Sequence, residues 1–93
     1  MIGEIQLAAG GRPFGFESLD LLKSVGVLRI PYEFIGMSGT AERYRVSGAL
    51  DANDLTFRTA INPHSSVPVS TVLIKLTNVG GGFVLVDNIR LRY

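Results

Sequence analysis

The residues best able to do chemistry are one histidine, a handful of carboxylates and a set of arginines. His64 is the sole histidine and stands in Asn62-Pro63-His64-Ser65-Ser66. Histidine beside serine invites a hydrolase reading, but catalysis needs the base held against a separate nucleophile and oriented by a third group. Sequence neighbours in a proline-containing loop do not supply that arrangement, so the segment reads as a loop. Residues 10–15 have the outer glycine spacing of a phosphate loop, yet Phe16 and Glu17 stand where lysine and a hydroxyl are needed. Arg12-Pro13 also breaks the run of backbone amides that could cradle an anion, leaving a turn. Asp51, Asn53 and Asp54 resemble the start of a calcium loop, but no glycine stands sixth and Asn62 takes the twelfth position, so this is no EF-hand. The chain has no cysteine, which removes disulfides, thiolate nucleophiles and thiolate metal sites together. No enzyme is expected from such an inventory.

The arginines offer more. Arg43, Arg45, Arg58, Arg90 and Arg92 fall on the outward parity of alternating segments. On neighbouring strands they would form a cationic face for sulfate, carboxylate or phosphate groups, with Arg43, Arg45, Arg90 and Arg92 as the ligand-binding set. The alternative is that they solvate strand faces and discourage edge pairing. Charge is otherwise mild: the chain carries net +1, with residues 1–40 at −1 and residues 41–93 at +2. That balance points to no nucleic-acid partner.

The elements that must position these groups are strands. Residues 42–47 set Tyr44 and Val46 on one face and Arg43, Arg45 and Ser47 on the other. Residues 55–61 set Leu55, Phe57 and Ile61 inward with Thr56 and Arg58 outward, and residues 83–93 alternate in the same way. Residues 25–35 alternate less and are more apolar, as a strand covered on both faces would be, although Pro31 asks for a bulge or an edge. Residues 69–76 form another strand, with 78–82 reading as a hairpin turn into the last one. Residues 2–8 and 14–22 complete about seven strands; a helical turn over 18–24 is the competing reading there. Ninety-three residues, 46% of them hydrophobic, suffice for one packed domain. The expected fold is all-β, an antiparallel two-sheet sandwich over residues 1–93, with a barrel as the alternative. Apolar runs of a few residues fall far short of the roughly 18–20 that span a bilayer. The first residues also lack the basic head and apolar stretch of a signal peptide.

Phe14-Gly15-Phe16-Glu17-Ser18-Leu19-Asp20-Leu21, Ile30-Pro31-Tyr32-Glu33-Phe34-Ile35-Gly36, Leu55-Thr56-Phe57-Arg58-Thr59 and Val86-Asp87-Asn88-Ile89-Arg90-Leu91 follow one another in an order that resembles bacterial galactose-binding-like jelly-roll domains. These include carbohydrate-binding modules and the extracellular domains associated with sorting anchors. The resemblance implies a jelly-roll sandwich, here a shortened one, and an extracellular setting. Its implied function is non-catalytic binding of a carbohydrate or surface glycan. It further implies a structural calcium held by Glu17 and Asp87; the competing account is that Asp87-Asn88 satisfies backbone groups at a strand irregularity. The chain departs from the pattern in having no tryptophan as a sugar-stacking platform.

The rival reading is a structural or assembly protein. Large apolar residues stand on both parities of the strands, so one sheet face would leave Leu73, Val84 and Val86 toward water as the contact of a homo-oligomer. The aromatics discriminate. Phe14, Phe16, Tyr32 and Tyr93 gathered in a groove would favour sugar binding, and their burial would favour assembly.

Overall fold

The computed structural model describes residues 2–23, 27–50, 57–77, 79–80 and 84–92. All of its regular structure is strand: β1 Ile2–Ala8, β2 Gly15–Lys23, β3 Val27–Ser38, β4 Ala41–Leu50, β5 Arg58–Ile61, β6 Thr71–Thr77, β7 Val79–Gly80 and β8 Val84–Arg92. Among the described residues there is no helix, and so none long and apolar enough to cross a membrane. The segment from 18 to 23 is strand.

Two antiparallel sheets stack as a small sandwich. The larger runs β1-β6-β3-β4, and the two-residue β7 pairs β3 where β6 leaves off; the smaller runs β5-β2-β8. The chain crosses between sheets from β1 to β2 and from β2 to β3, and β6 returns to lie between β1 and β3. Both edges of β6 are therefore taken. The last strand cannot pair with it as the hairpin expected from 78–82, and it joins β2 in the other sheet. Pro31 sits in the middle of a sheet, but at a break: β6 pairing ends at Tyr32 and β7 pairing resumes at Arg29. A residue without an N–H donor fits at that gap.

The core lies between the sheets. Phe16, Leu19 and Leu21 of β2 meet Ile30 and Phe34 of β3 and Val72 and Ile74 of β6, all essentially inaccessible. The Phe16 ring meets the Phe34 ring edge-on at 5.0 Å, and Tyr32 stacks on Phe34 at the same spacing. Each such aromatic contributes roughly 1.5–3 kcal/mol through burial. Glycine admits the rings from the opposite strand. Tyr44 lies across Gly36 and Tyr32 across Gly48, each where a Cβ would collide with the ring.

Irregularities in the ladders decide which way the later side chains point. Between Phe16 and Ser18 the β2–β8 register slips by one residue, and it slips back between Ser18 and Asp20. Glu17 is the extra residue on β2, and the compensating extra residue on β8 falls beside Asn88, whose φ of 51° is left-handed. A third slip opposite Gly36 and Met37 leaves Arg43 as the extra residue of β4.

Candidate functional site

The outward face of the small sheet carries the most organised group of polar side chains. Its cross-strand rows are Ile61–Ser18–Arg90 and Thr59–Asp20–Asp87, with Leu22 beside Leu85 in the next. At the centre Asp20 has only 10% of its side chain exposed. Thr59 Oγ1 donates to its Oδ1 at 2.8 Å and Asn88 Nδ2 to its Oδ2 at 2.8 Å. The Arg90 guanidinium donates to both oxygens at 3.2 Å, and its Nη1 also reaches Ser18 Oγ at 3.0 Å. The positive φ of Asn88 turns that side chain onto Asp20, and asparagine is among the few residues that tolerate the conformation. Hydrogen bonds from Arg90, then Asn88, then Thr59 hold the Asp20 carboxyl down at about 2, against 3.8 ordinarily. A carboxylate held so firmly ionised is no general acid. It is a structural anion that pins β5, β2 and β8 together.

Exposed apolar side chains also stand on these strands and just before them. Ile61 is 68% exposed, Leu85 47% and Ile89 37%, and Phe57, just before β5, is 40% exposed. The outer face of the large sheet differs. Arg45 spans two carboxylates, with Nη1 on Glu33 Oε1 and Nη2 on Glu42 Oε1, each at 2.7 Å. The slip at Arg43 brings Glu42 and Arg45 onto one face, and the hydrogen bonds Arg45 donates to Glu42 and then to Glu33 raise its pKa further. Between Arg45 and Leu73 in the ladder, Ile35 is outward in parity yet only 3% exposed.

The arginines expected to form one cationic face are divided. Arg43 and Arg45 lie on β4 of the large sheet, and Arg90 and Arg92 on β8 of the small one, because β4 pairs β3 and β8 pairs β2. Arg45 and Arg90 are engaged by carboxylates, as is Arg92 through Nε to Glu17 Oε1 at 2.9 Å. Arg43 is exposed, with no hydrogen bond or ion pair among the described residues.

Glu17 and Asp87 share the small sheet but stand several rungs apart, since Glu17 lies near Arg92 and Asp87 faces Asp20. Asp87 Oδ1 accepts from the Asn88 amide at 2.8 Å, so it satisfies a backbone group at the bulge. Among the described residues no three metal-ligating side chains of the His, Cys, Asp and Glu types come together.

Val84 and Val86 point inward and pack on the core, and the residue turned to solvent between them is Leu85. The expectation that these two valines face water is overturned, because the bulge beside Asn88 resets the alternation of β8. Leu73 does lie on the outer face, half-buried. In β5 the parity is likewise the reverse of that expected: Ala60 is buried at 6% exposure and Ile61 is outward. Asp51, Asn53, Asp54, Leu55, Phe83 and Tyr93 lie outside the described residues.

The histidine loop wraps one end of the sandwich. Asn62 is 1% exposed, donates from Nδ2 to Phe16 O at 2.8 Å and accepts from the His64 amide at 3.1 Å, while its own amide reaches Glu17 O. It thus carries the β5–β2 pairing past Ile61 onto Glu17 and Phe16, a role the sequence signals only as Asn-Pro in a loop. His64 stacks on Tyr44 with centroids 5.4 Å apart, and its imidazole has no hydrogen bond among the described residues. The Tyr44 hydroxyl is buried without a partner of ordinary geometry, Asn62 being nearby but already committed. Burial raises the Tyr44 pKa, a rise that neighbouring Asn62 moderates. The phenol stays protonated and supplies no base.

No family model, no curated protein and no solved structure matches this chain.

Proposed function

We propose that this chain is a non-catalytic assembly module that pairs with a second copy of itself through the outer face of the small sheet. The observation that carries the reading is the exposure of Ile61 and Leu85 around a polar centre whose hydrogen bonds are already satisfied. Such a centre can be covered without leaving a charge unpaired, and that is the usual cost of burying one. Both signs also stand on β8, Asp87 beside Arg90, so a two-fold axis passing between them would set unlike charges across an isologous contact. Burying each large apolar side chain contributes roughly 1.5–3 kcal/mol, enough in combination to offset the cost of association. The burial of Phe14 and Phe16 at 2% and 0% exposure supports assembly over sugar binding.

The glycan reading implied by the jelly-roll resemblance has one feature in its favour. A shallow groove of about 420 Å3 crosses the large sheet between Pro31, Glu33, Ser47, Lys75 and Thr77. Its walls could hydrogen-bond a sugar, but the Tyr32 ring turns to the inner side over Gly48 and provides no platform there.

Sedimentation across a concentration series tests the assembly reading. The unmodified chain should pass from monomer to dimer, and Ile61→Ser with Leu85→Ser should remain monomeric. A monomer at hundreds of micromolar overturns it, and a glycan-array signal from the same preparation would shift the reading to the groove.

A further inference from the structure

At the end of the small sheet where β2 begins, Pro13, Phe14, Gly15, Ser65, Ser66, Pro68 and Arg92 enclose a groove of about 180 Å3. Gly15 pairs with Arg92 across the ladder, and the Ser65 carbonyl rests directly over Gly15, where any side chain would displace it. The histidine loop is thereby brought against the end of β8. Its conformation is fixed by Asn62 and by the bond from the Val67 amide to His64 O at 3.0 Å.

Three unused donors meet here. Glu17 holds only Nε of Arg92, which leaves both Nη groups without an acceptor among the described residues. The hydroxyls of Ser65 and Ser66 have no hydrogen bond among those residues either. A guanidinium steadied at Nε presents its Nη edge as a planar fork, the geometry that matches a tetrahedral or planar oxyanion. Flanking Pro13 and Pro68 stiffen the walls and offer no backbone donor of their own.

We propose that this groove binds a phosphoryl or sulfate group on the Nη edge of Arg92, with Ser65 and Ser66 as further donors. The site sits at the Gly15–Arg92 end of the small sheet, several rungs from Leu85, and takes the anion as a free ion or as the end of a larger molecule. Glu17 plays two opposed parts. It orients the guanidinium, and its charge weakens the anion's hold, so affinity is modest and rises when that charge is removed.

The test follows the backbone amide resonances of the full chain during titration with inorganic phosphate at constant ionic strength, with glucose 6-phosphate as a second arm. Gly15, Ser65 and Ser66 should shift saturably in both arms; tighter binding of the ester marks the anion as part of a larger ligand, and equal binding marks the free ion. Arg92→Gln should weaken binding about tenfold or more. Glu17→Gln, which keeps the acceptor for Nε, should tighten it about threefold. Ser66→Ala alters an exposed hydroxyl, leaves the fold intact and should weaken binding by a smaller factor. No saturation at tens of millimolar in either arm overturns the proposal, as does an affinity unchanged in Arg92→Gln.

Discussion

The two outward faces of the sandwich treat their apolar residues in opposite ways. On the large sheet Ile35 points outward yet is 3% exposed, lying between Arg45 and Leu73 of the flanking strands. On the small sheet Ile61 and Leu85 point outward and stay 68% and 47% exposed. Sheet width accounts for the difference. β3 has neighbours on both sides, so long side chains can fold over it from either direction, whereas β5 and β8 have β2 alone beside them among the described residues. The ion pairs sharpen the contrast. Arg45 binds Glu33 and Glu42 beside Ile35 on the large sheet, while Arg90 binds Asp20 at the centre of the small one, two rungs from the exposed Leu85. An exposed side chain on an edge is what a partner can still bury; Ile35 has been buried already.

The strongest test of this contrast pairs one substitution on each face. Ile35→Ala removes a side chain packed on every side and should cost roughly 2–5 kcal/mol in urea unfolding. Ile61→Ala should change the stability of the monomer by no more than about 0.5 kcal/mol, its effect appearing in the association constant. Equal losses at the two positions would show that the faces do not differ.

Acid should separate the faces next. The folded-state pKa of Asp20 is about 2, below its ordinary 3.8, so its contribution to stability is fully present above that ordinary value. That contribution is lost as pH falls from about 4 to about 2. Asp20→Asn should be less stable than the unmodified chain at neutral pH and should show a flatter stability profile across that acid window. A profile in Asp20→Asn that falls as steeply as before would place the acid sensitivity elsewhere.

The strands were legible because alternation is a direct consequence of the pleat, and each of the seven expected segments holds a strand among its described residues. The sheet pairing of the last strand was not. Turn residues at 78–82 fit a hairpin, but pairing depends on which edges remain open, and β1 and β3 occupy both edges of β6. In β8 facing failed because a bulge intervenes. A strict period of two runs through Val84 and Val86 to Arg90 and Arg92, yet one extra residue beside Asn88 puts the valines inside and the arginines outside. β4 shows the converse: Tyr44 and Val46 point inward and Arg45 and Ser47 outward, as the alternation requires, because its bulge lies before them. The Asp20 centre was illegible for a related reason. Its members come from residues 18, 20, 59, 88 and 90, and only the bulge lets Asn88 and Arg90 reach one carboxylate. The Asp-Asn pair was the one local sign of it.

The smallest expected effect is at that bulge. Asn88 holds φ at 51°, a conformation glycine adopts without strain, so Asn88→Gly relieves a backbone cost. The same change deletes the donor to Asp20 and gives the unfolded chain more freedom, both of which favour unfolding. These effects oppose one another at similar size, and at neutral pH the melting temperature should stay within about 4 °C of the unmodified chain. The acid limb should move even so. Asn88 is second only to Arg90 in holding the Asp20 carboxyl down, and without it that pKa rises toward its ordinary value. With neutral stability little changed, Asn88→Gly should therefore lose less stability than the unmodified chain as pH falls from about 4 to about 2, while the acid limb of Ile61→Ala on the same face should not move. A large loss of stability at neutral pH would mean that the asparagine side chain, and not the left-handed backbone, is what keeps β8 in register.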